Sequence, residues 1–292
     1  MPDKKADIDK VTGIATTGHE WDGIRELNNP LPRWWLWTFY LTIVWSVGYW
    51  VVYPSWPLVS SYTKGLIGWH SREGIIDDMD ALKALRGPMV QKLAATPLDG
   101  IIHDPTLFDF ARAQAKPAFA ENCAPCHGSG GAGAKGFANL NDDDWLWGGK
   151  LDDIAATIRH GIRAADTQSR VGSMPAFGRD GMLKRSEIET VAQYVRSLSG
   201  LTVEPGTDVA AGKAIFAANC ASCHGPDGKG NQEVGAPNLT DGIWLYGQDA
   251  ATIAEGLWNG RNGMMPAWSA RLDDSTIKAL AVYVHSFGGG EK

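Results

Sequence analysis

All four cysteines of this 292-residue chain lie in two copies of one pentapeptide pattern, C-x-x-C-H: Cys123, Cys126, His127 and Cys220, Cys223, His224. The pentapeptides belong to a longer internal repeat. AFAENCAPCHGSGGAGAKG (118–136) matches IFAANCASCHGPDGKG (215–230), and NLNDDDWLWGG (139–149) matches NLTDGIWLYGQ (238–248). Ile158 and Gly161 pair with Leu257 and Gly260, MPAF (174–177) with MPAW (265–268), and VAQYVRSL (191–198) with LAVYVHSF (280–287). The blocks keep their order, and the first copy carries an insertion of eight residues within 162–173. A repeat of this kind means two copies of one folding module, here 111–200 and 207–292.

Each module opens on a short helix ending at its first cysteine, with Phe119 or Phe216 facing inward. Each closes on an amphipathic helix, through Ile188, Val191, Tyr194, Val195 and Leu198 in the first copy and Ile277, Leu280, Ala281, Val284 and Phe287 in the second. Apolar residues recur at three- and four-residue spacing, and no run alternates with a period of two, so the modules are expected to be all-α.

Two thiols three residues apart on a helical turn can each add to one vinyl group of a porphyrin, and the next residue, histidine, then faces the iron. A thiol redox pair would follow a strand, and a zinc site would need a second ligand pair that neither module has. The expected cofactors are therefore two covalently bound haem c, one per motif. The sixth iron ligands are expected to be Met174 and Met265, because the repeat keeps methionine there and a thioether ligand suits a raised reduction potential. Met264 stands opposite Ser173, so Met265 is preferred to it, and the unmatched Met182 is assigned to packing. His160, aligned with Asn259, is expected at the surface or near a propionate. Sequence order favours each methionine serving its own module; the crossed arrangement, Met174 to the second haem and Met265 to the first, stays open. Trp145/Trp244 and Trp147/Tyr246 line the haem crevice or serve packing, and the preceding Asn139–Leu140 and Asn238–Leu239 resemble a loop that reaches the haem edge.

Upstream, the composition changes. Seven of the 13 tryptophans lie between Trp34 and Trp69, and the run from Trp34 to Tyr53 holds no charge. Twenty helical residues cover about 30 Å, the thickness of a bilayer's hydrocarbon core, and aromatic rings crowd both ends. This predicts a membrane helix over 34–53. Residues 1–33 form a polar segment with five basic side chains (Lys4, Lys5, Lys10, Arg25 and Arg33), against Lys64 and Arg72 soon after the span, so the N-terminus is expected in the cytoplasm. Residues 54–110 read as a connector. It contains a short helix starting at Asp77 or Asp78 and ending near Ala95, with Met79, Leu82, Leu85, Met89 and Leu93 on one face. His70 and His103 there are expected to be polar surface residues.

Net charge is −6, which argues against a nucleic-acid surface. It is unevenly divided: residues 111–200 carry 11 basic and 10 acidic side chains (+1), and residues 201–292 carry 6 and 10 (−4). The acidic second module would steer a positively charged partner.

GHEWDGIRELNNPLPRWW (18–35), YPSWP (53–57) and YTKGLIGW (62–69), followed by two C-x-x-C-H modules, resemble the FixP/CcoP family, subunit III of bacterial cbb3-type cytochrome c oxidases. The resemblance covers essentially the whole chain. It implies an N-terminal transmembrane helix followed by two tandem cytochrome c domains in a single-pass protein of the cell inner membrane, with the haem domains periplasmic. It also implies a non-catalytic electron-transfer role. Electrons would come from a periplasmic cytochrome c or the quinol–cytochrome c reductase and pass through the monohaem subunit to the haem–copper catalytic subunit, which reduces O2 to water with proton pumping. A stand-alone membrane-anchored dihaem shuttle is the alternative.

Overall fold

The computed structural model describes residues 7–291, so Lys4 and Lys5 lie outside the described residues. Residues through Ala84 form one compact unit and those from Leu85 a second.

The first unit departs from the all-α expectation. Strands β1 (Thr16–Trp21) and β2 (Ile24–Leu27) pair antiparallel, with Glu20 opposite Arg25 and Trp21 opposite Ile24. Asp22 and Gly23 join them at φ of 47° and 84°. An Asp-Gly pair with positive φ at both positions matches the twist of a two-residue hairpin, and this local signal went unread in a segment taken only as polar. Helix α1 (Arg33–Val52) follows; it is long and apolar enough to cross a membrane, and none of its residues is buried within the protein. Its Thr and Ser hydroxyls bond back to its own carbonyls, Thr38 to Trp34 at 2.9 Å, Ser46 to Thr42 at 2.8 Å and Thr42 to Phe39, so these three donors are satisfied within the helix. The end of the helix is closed by returning chain, the amide of Leu66 donating to Val51 O at 3.0 Å.

Helix α2 (Ser71–Ala95) starts earlier than expected, running through Gly74 and the aspartates that suggested a cap. Met79, Leu82 and Leu85 are exposed, whereas Leu93 is buried and Met89 packs on a core. The segment assigned to connection therefore contributes to the globular part. Helix α3 (Leu98–His103) supplies Ile101, and helix α4 (Pro105–Asn122), capped by Asp104 accepting from the Leu107 amide, supplies Leu107, Ala111, Ala115 and Phe119.

The remaining helices are α5 (Ala124–His127), α6 (Leu151–His160), α7 (Arg185–Leu198), α8 (Val209–Asn219), α9 (Ala221–His224), α10 (Ala250–Asn259) and α11 (Asp274–His285). They build two cores, and each core draws on both repeats. In the first, α4 and α6 of the first repeat pack on α11 of the second: Phe119, Ile154 and Ile158 meet Ile277, Leu280 and Val284, and Gln114 donates to Ser275 Oγ at 3.2 Å. In the second, α8 and α10 pack on α7 of the first repeat, with Phe216 and Leu257 against Ile188, Val191 and Tyr194. The repeats thus exchange their C-terminal halves.

Two short backbone pairings mark the exchange. Ile162 and Met265 bond reciprocally at 2.9 and 3.0 Å, and Met174 and Arg261 at 3.1 and 3.0 Å. Gly161 (φ 71°) and Gly260 (φ 74°) permit both crossings. A Cβ there would sit 2.4 Å from Met265 O and 2.6 Å from Met174 O respectively, closer than any side chain tolerates. Beyond the methionines, the chain satisfies the last carbonyls of the other repeat's helix, Trp268 donating to Ile158 and Arg179 to Trp258. Truncating Leu280 to Ala is expected to destabilise the protein by about 2–5 kcal/mol. Hydrogen exchange should then accelerate in α4, of the other repeat, before it does in α8.

Candidate functional site

The two C-x-x-C-H turns are near copies. Each is a single helical turn, α5 or α9, in which the His amide donates to the carbonyl of the first cysteine at 2.9 Å, and the second cysteine's amide to the same carbonyl at 3.1 Å. This winding brings two thiols and an imidazole onto a single turn. Cys126 and Cys223 are exposed, while Cys123 is half-buried and Cys220 buried. Burial, with a smaller push from the neighbouring cysteine, raises the thiols of Cys123 and Cys220 to about 11. Burial thus favours the uncharged form of these two sulfurs, as a thioether link would keep them.

Each histidine is oriented by one carbonyl. His127 Nδ1 lies 2.9 Å from Ala138 O, and His224 Nδ1 lies 3.1 Å from Pro237 O. A carbonyl can only accept, so Nδ1 carries the proton and the Nε2 lone pair is free for a metal, the outer-shell arrangement that fixes a ligand's tautomer. Burial lowers the His224 pKa, partly offset by its bond to Pro237, which favours the neutral, ligating form. The orienting carbonyls precede Asn139–Leu140 and Asn238–Leu239. Both asparagines accept a backbone amide two residues on at 3.0 Å, and both leucines pack on their respective cores.

Met265 packs on the same core as Cys123, and Met174 on the same core as Cys220. Met264 and Met182 are exposed; Met182, with more than half its surface open to solvent, belongs to neither core. His160 Nδ1 bonds Asp166 at 3.1 Å, His103 its own helix carbonyl at Asp99, and His70 the Tyr62 hydroxyl. The repeated tryptophans are not equivalent. Trp145 Nε1 donates to Gly289 O from the C-terminal tail, whereas Trp244 Nε1 is buried without a partner among the described residues. An unpaired buried N–H is costly, so this donor fits an acceptor carried by a cofactor, such as a porphyrin carboxylate.

Sequence comparison gave no notice of three arginines. Arg170 stacks 5.7 Å from the Trp147 ring and bonds Asp153 at 3.3 Å; Arg261 stacks 3.8 Å from the Tyr246 ring and bonds Thr252 O at 3.3 Å. Trp147 and Tyr246 are repeat partners, as are Asp153 and Thr252, so the guanidiniums are structurally equivalent. Arg170 and Arg261 stand 91 residues apart, the offset of Met174 and Met265, a match that the repeat blocks do not include. Arg163 is the third.

These turns, oriented histidines and half-buried methionines define a c-type cytochrome. The family described as "Cytochrome C oxidase, cbb3-type, subunit III" matches residues 111–195 and 207–284, and "N-terminal domain of cytochrome oxidase-cbb3, FixP" matches residues 13–60. The FixP proteins of Azorhizobium caulinodans and Bradyrhizobium diazoefficiens, each named "Cbb3-type cytochrome c oxidase subunit FixP", are 60% identical to the chain. The alignments span 288 residues (98% of this chain, 97% of the relative) and 286 residues (98% and 99%). The "Cbb3-type cytochrome c oxidase subunit CcoP" of Cereibacter sphaeroides is 50% identical over 277 residues, 94% of this chain and 95% of the relative. The chain belongs to the FixP/CcoP family of cbb3-type cytochrome c oxidase subunits, haem c-binding electron-transfer components anchored to the membrane.

At the junction of the two cores, burial and the carboxylates of Asp241, Asp142 and Asp143 raise Asp144 to about 6. The folded state therefore holds a proton there that the unfolded chain releases near the usual value of 3.8. The cost of ionising Asp144 is absent below about pH 4, grows between 4 and 6, and is complete above 6. The carboxyl is partly exposed, so screening reduces the effect to on the order of 1 kcal/mol. Asp144→Asn should raise the melting temperature at pH 7.5 and leave it unchanged at pH 4.

Proposed function

We propose that the chain carries two haem c groups, attached at Cys123/Cys126 and Cys220/Cys223. In this reading the iron ligands are crossed between repeats, His127 with Met265 and His224 with Met174. The observation that carries it is the exchange of C-terminal halves, which seats Met265 on the Cys123 core and Met174 on the Cys220 core. The haem supplies one-electron exchange at a potential that histidine–methionine ligation raises. The protein's part is to fix the imidazoles through Ala138 O and Pro237 O, hold the methionines by paired backbone, and exclude water with Trp147, Phe119 and Phe216.

In the assembled oxidase the two haem modules face the periplasm and the N-terminus the cytoplasm. Electrons enter from a periplasmic cytochrome c or the quinol–cytochrome c reductase. They leave through the monohaem subunit to the haem–copper subunit that reduces O2. The largely apolar α1, none of whose residues is buried, and the run of apolar side chains exposed on α2 suit packing against lipid and neighbouring subunits. Positively charged donors are steered to the acidic second repeat, where Asp227 and Glu233 are exposed. Asp273, also exposed, caps α11 by accepting from Thr276 N at 2.9 Å, so its neutralisation would cost stability as well as charge.

Crossed ligation is tested by isolating one haem. In a Cys220→Ser/Cys223→Ser background, which retains only the first attachment site, Met265→Ala should abolish the thioether-to-iron absorption band while Met174→Ala preserves it. The reverse pattern would establish ligation within each repeat. The assembly is tested by purification in mild detergent. Co-purification of haem b and copper is expected, and an isolated dihaem cytochrome would favour the shuttle. Asp227→Asn with Glu233→Gln should flatten the salt dependence of electron entry; an unchanged slope would exclude steering by this pair.

A further inference from the structure

One side chain spans both methionine segments. Arg163 lies directly after Ile162, whose backbone pairs with Met265, at the start of the insertion found only in the first repeat. Its Nε donates to Gly263 O at 2.6 Å, and its Nη1 donates to Gly172 O. Gly263 and Gly172 each stand two residues before a methionine, Met265 and Met174. The two donors of one rigid guanidinium therefore hold equivalent points on two separate chain segments. A planar fork suits this double task better than a single ammonium does.

The backbone is arranged to make this reach possible. Arg163 has φ of 53°, and only one other non-glycine among the described residues, Asp22 in the hairpin turn, has a positive value. For a long side chain that region is strained, and it persists only where surrounding contacts enforce it. Here the insertion does so. The Arg163 amide donates to Arg170 O at 2.6 Å and the Arg170 amide to Gly161 O at 3.1 Å, while Ser169 Oγ accepts from the Ala164 amide at 2.9 Å. The loop thus leaves after Arg163 and returns beside it, presenting the side chain to both segments. Both acceptors are neutral carbonyls, and burial lowers the arginine's pKa, as expected of a cation held with little compensating charge.

We propose that Arg163 is a positioning residue shared by the two haem sites: it ties the Met174 and Met265 segments together, and its fixed positive charge favours the reduced state of both haems. The proposal rests on the reading that these methionines are the sixth ligands. Arg163 belongs to the insertion and has no counterpart in the second repeat, so the device exists once and serves both sites. A change at Arg163 is accordingly felt twice, in contrast to Arg170 and Arg261, each of which stacks on one repeat's aromatic ring.

The test uses the purified holoprotein in its complex, with Arg163→Gln and Arg163→Lys compared by the thioether-to-ferric-iron band and by redox titration of both haems. Arg163→Gln should weaken the band at both haems and shift each reduction equilibrium about tenfold toward the oxidised form, about 59 mV for one electron. Arg163→Lys, which keeps the charge and loses the fork, should recover part of that shift at both. A shift confined to one haem, or none at either, overturns the proposal. If Arg163→Gln fails to accumulate, Arg163→Lys decides alone: a smaller shift in the same direction at both haems supports it, and unchanged potentials overturn it. A wild-type protein without the thioether band would instead overturn the ligation reading, and the proposal with it.

Discussion

The second unit turns on two reciprocal backbone pairings, Ile162 with Met265 and Met174 with Arg261. Each consists of two hydrogen bonds, and each contributes only a modest net stabilisation as such. Their importance is positional. They fix where the chain leaves one core for the other, and from there every apolar face of α7 and α11 finds its partner in the opposite repeat. Gly161 and Gly260 leave room for the approach, and the ends of α6 and α10 receive amides from the segments that cross.

The exchange binds the two cores more firmly than a linker would. Neither can lose its closing helix without exposing apolar surface: Leu280 and Ile277 in one, Val191 and Ile188 in the other, are essentially inaccessible to solvent. The two C-x-x-C-H turns are thereby kept at a constant separation and orientation. The aromatic residues at the junction extend the coupling. Trp147 lies against Gly235 and Gly172, and Tyr246 against Gly136, so each repeat inserts a ring into a loop of the other or of its own crossing segment.

Near-identical local chemistry nevertheless has unequal surroundings. The attachment turns differ by hardly more than 0.1 Å in their backbone bonds, yet Trp145 has a carbonyl partner from the C-terminal tail and Trp244 has none among the described residues. Arg170 bonds a carboxylate, that of Asp153, where Arg261 bonds a carbonyl, Thr252 O. Such differences in buried donors and nearby charge give the two C-x-x-C-H turns of one duplicated module chemically distinct surroundings.

The sequence by itself determined the repeat, the two C-x-x-C-H motifs, the apolar run of α1, and the inward faces of α7 and α11. All of these are local: a five-residue turn, an uncharged run, a 3.6-residue period. The Asp22–Gly23 hairpin was legible on the same terms. The early start of α2, its share in the first core and the exposure of Met182 were not, because they depend on what covers each face. Only the tertiary structure decided which repeat supplies each closing helix. Two homologous halves have nearly the same apolar faces, so periodicity satisfies either pairing equally. The choice lies in the path of the crossing segments, in Gly161 and Gly260, and in the contacts Arg163 makes across them, which are relations between residues about 100 positions apart.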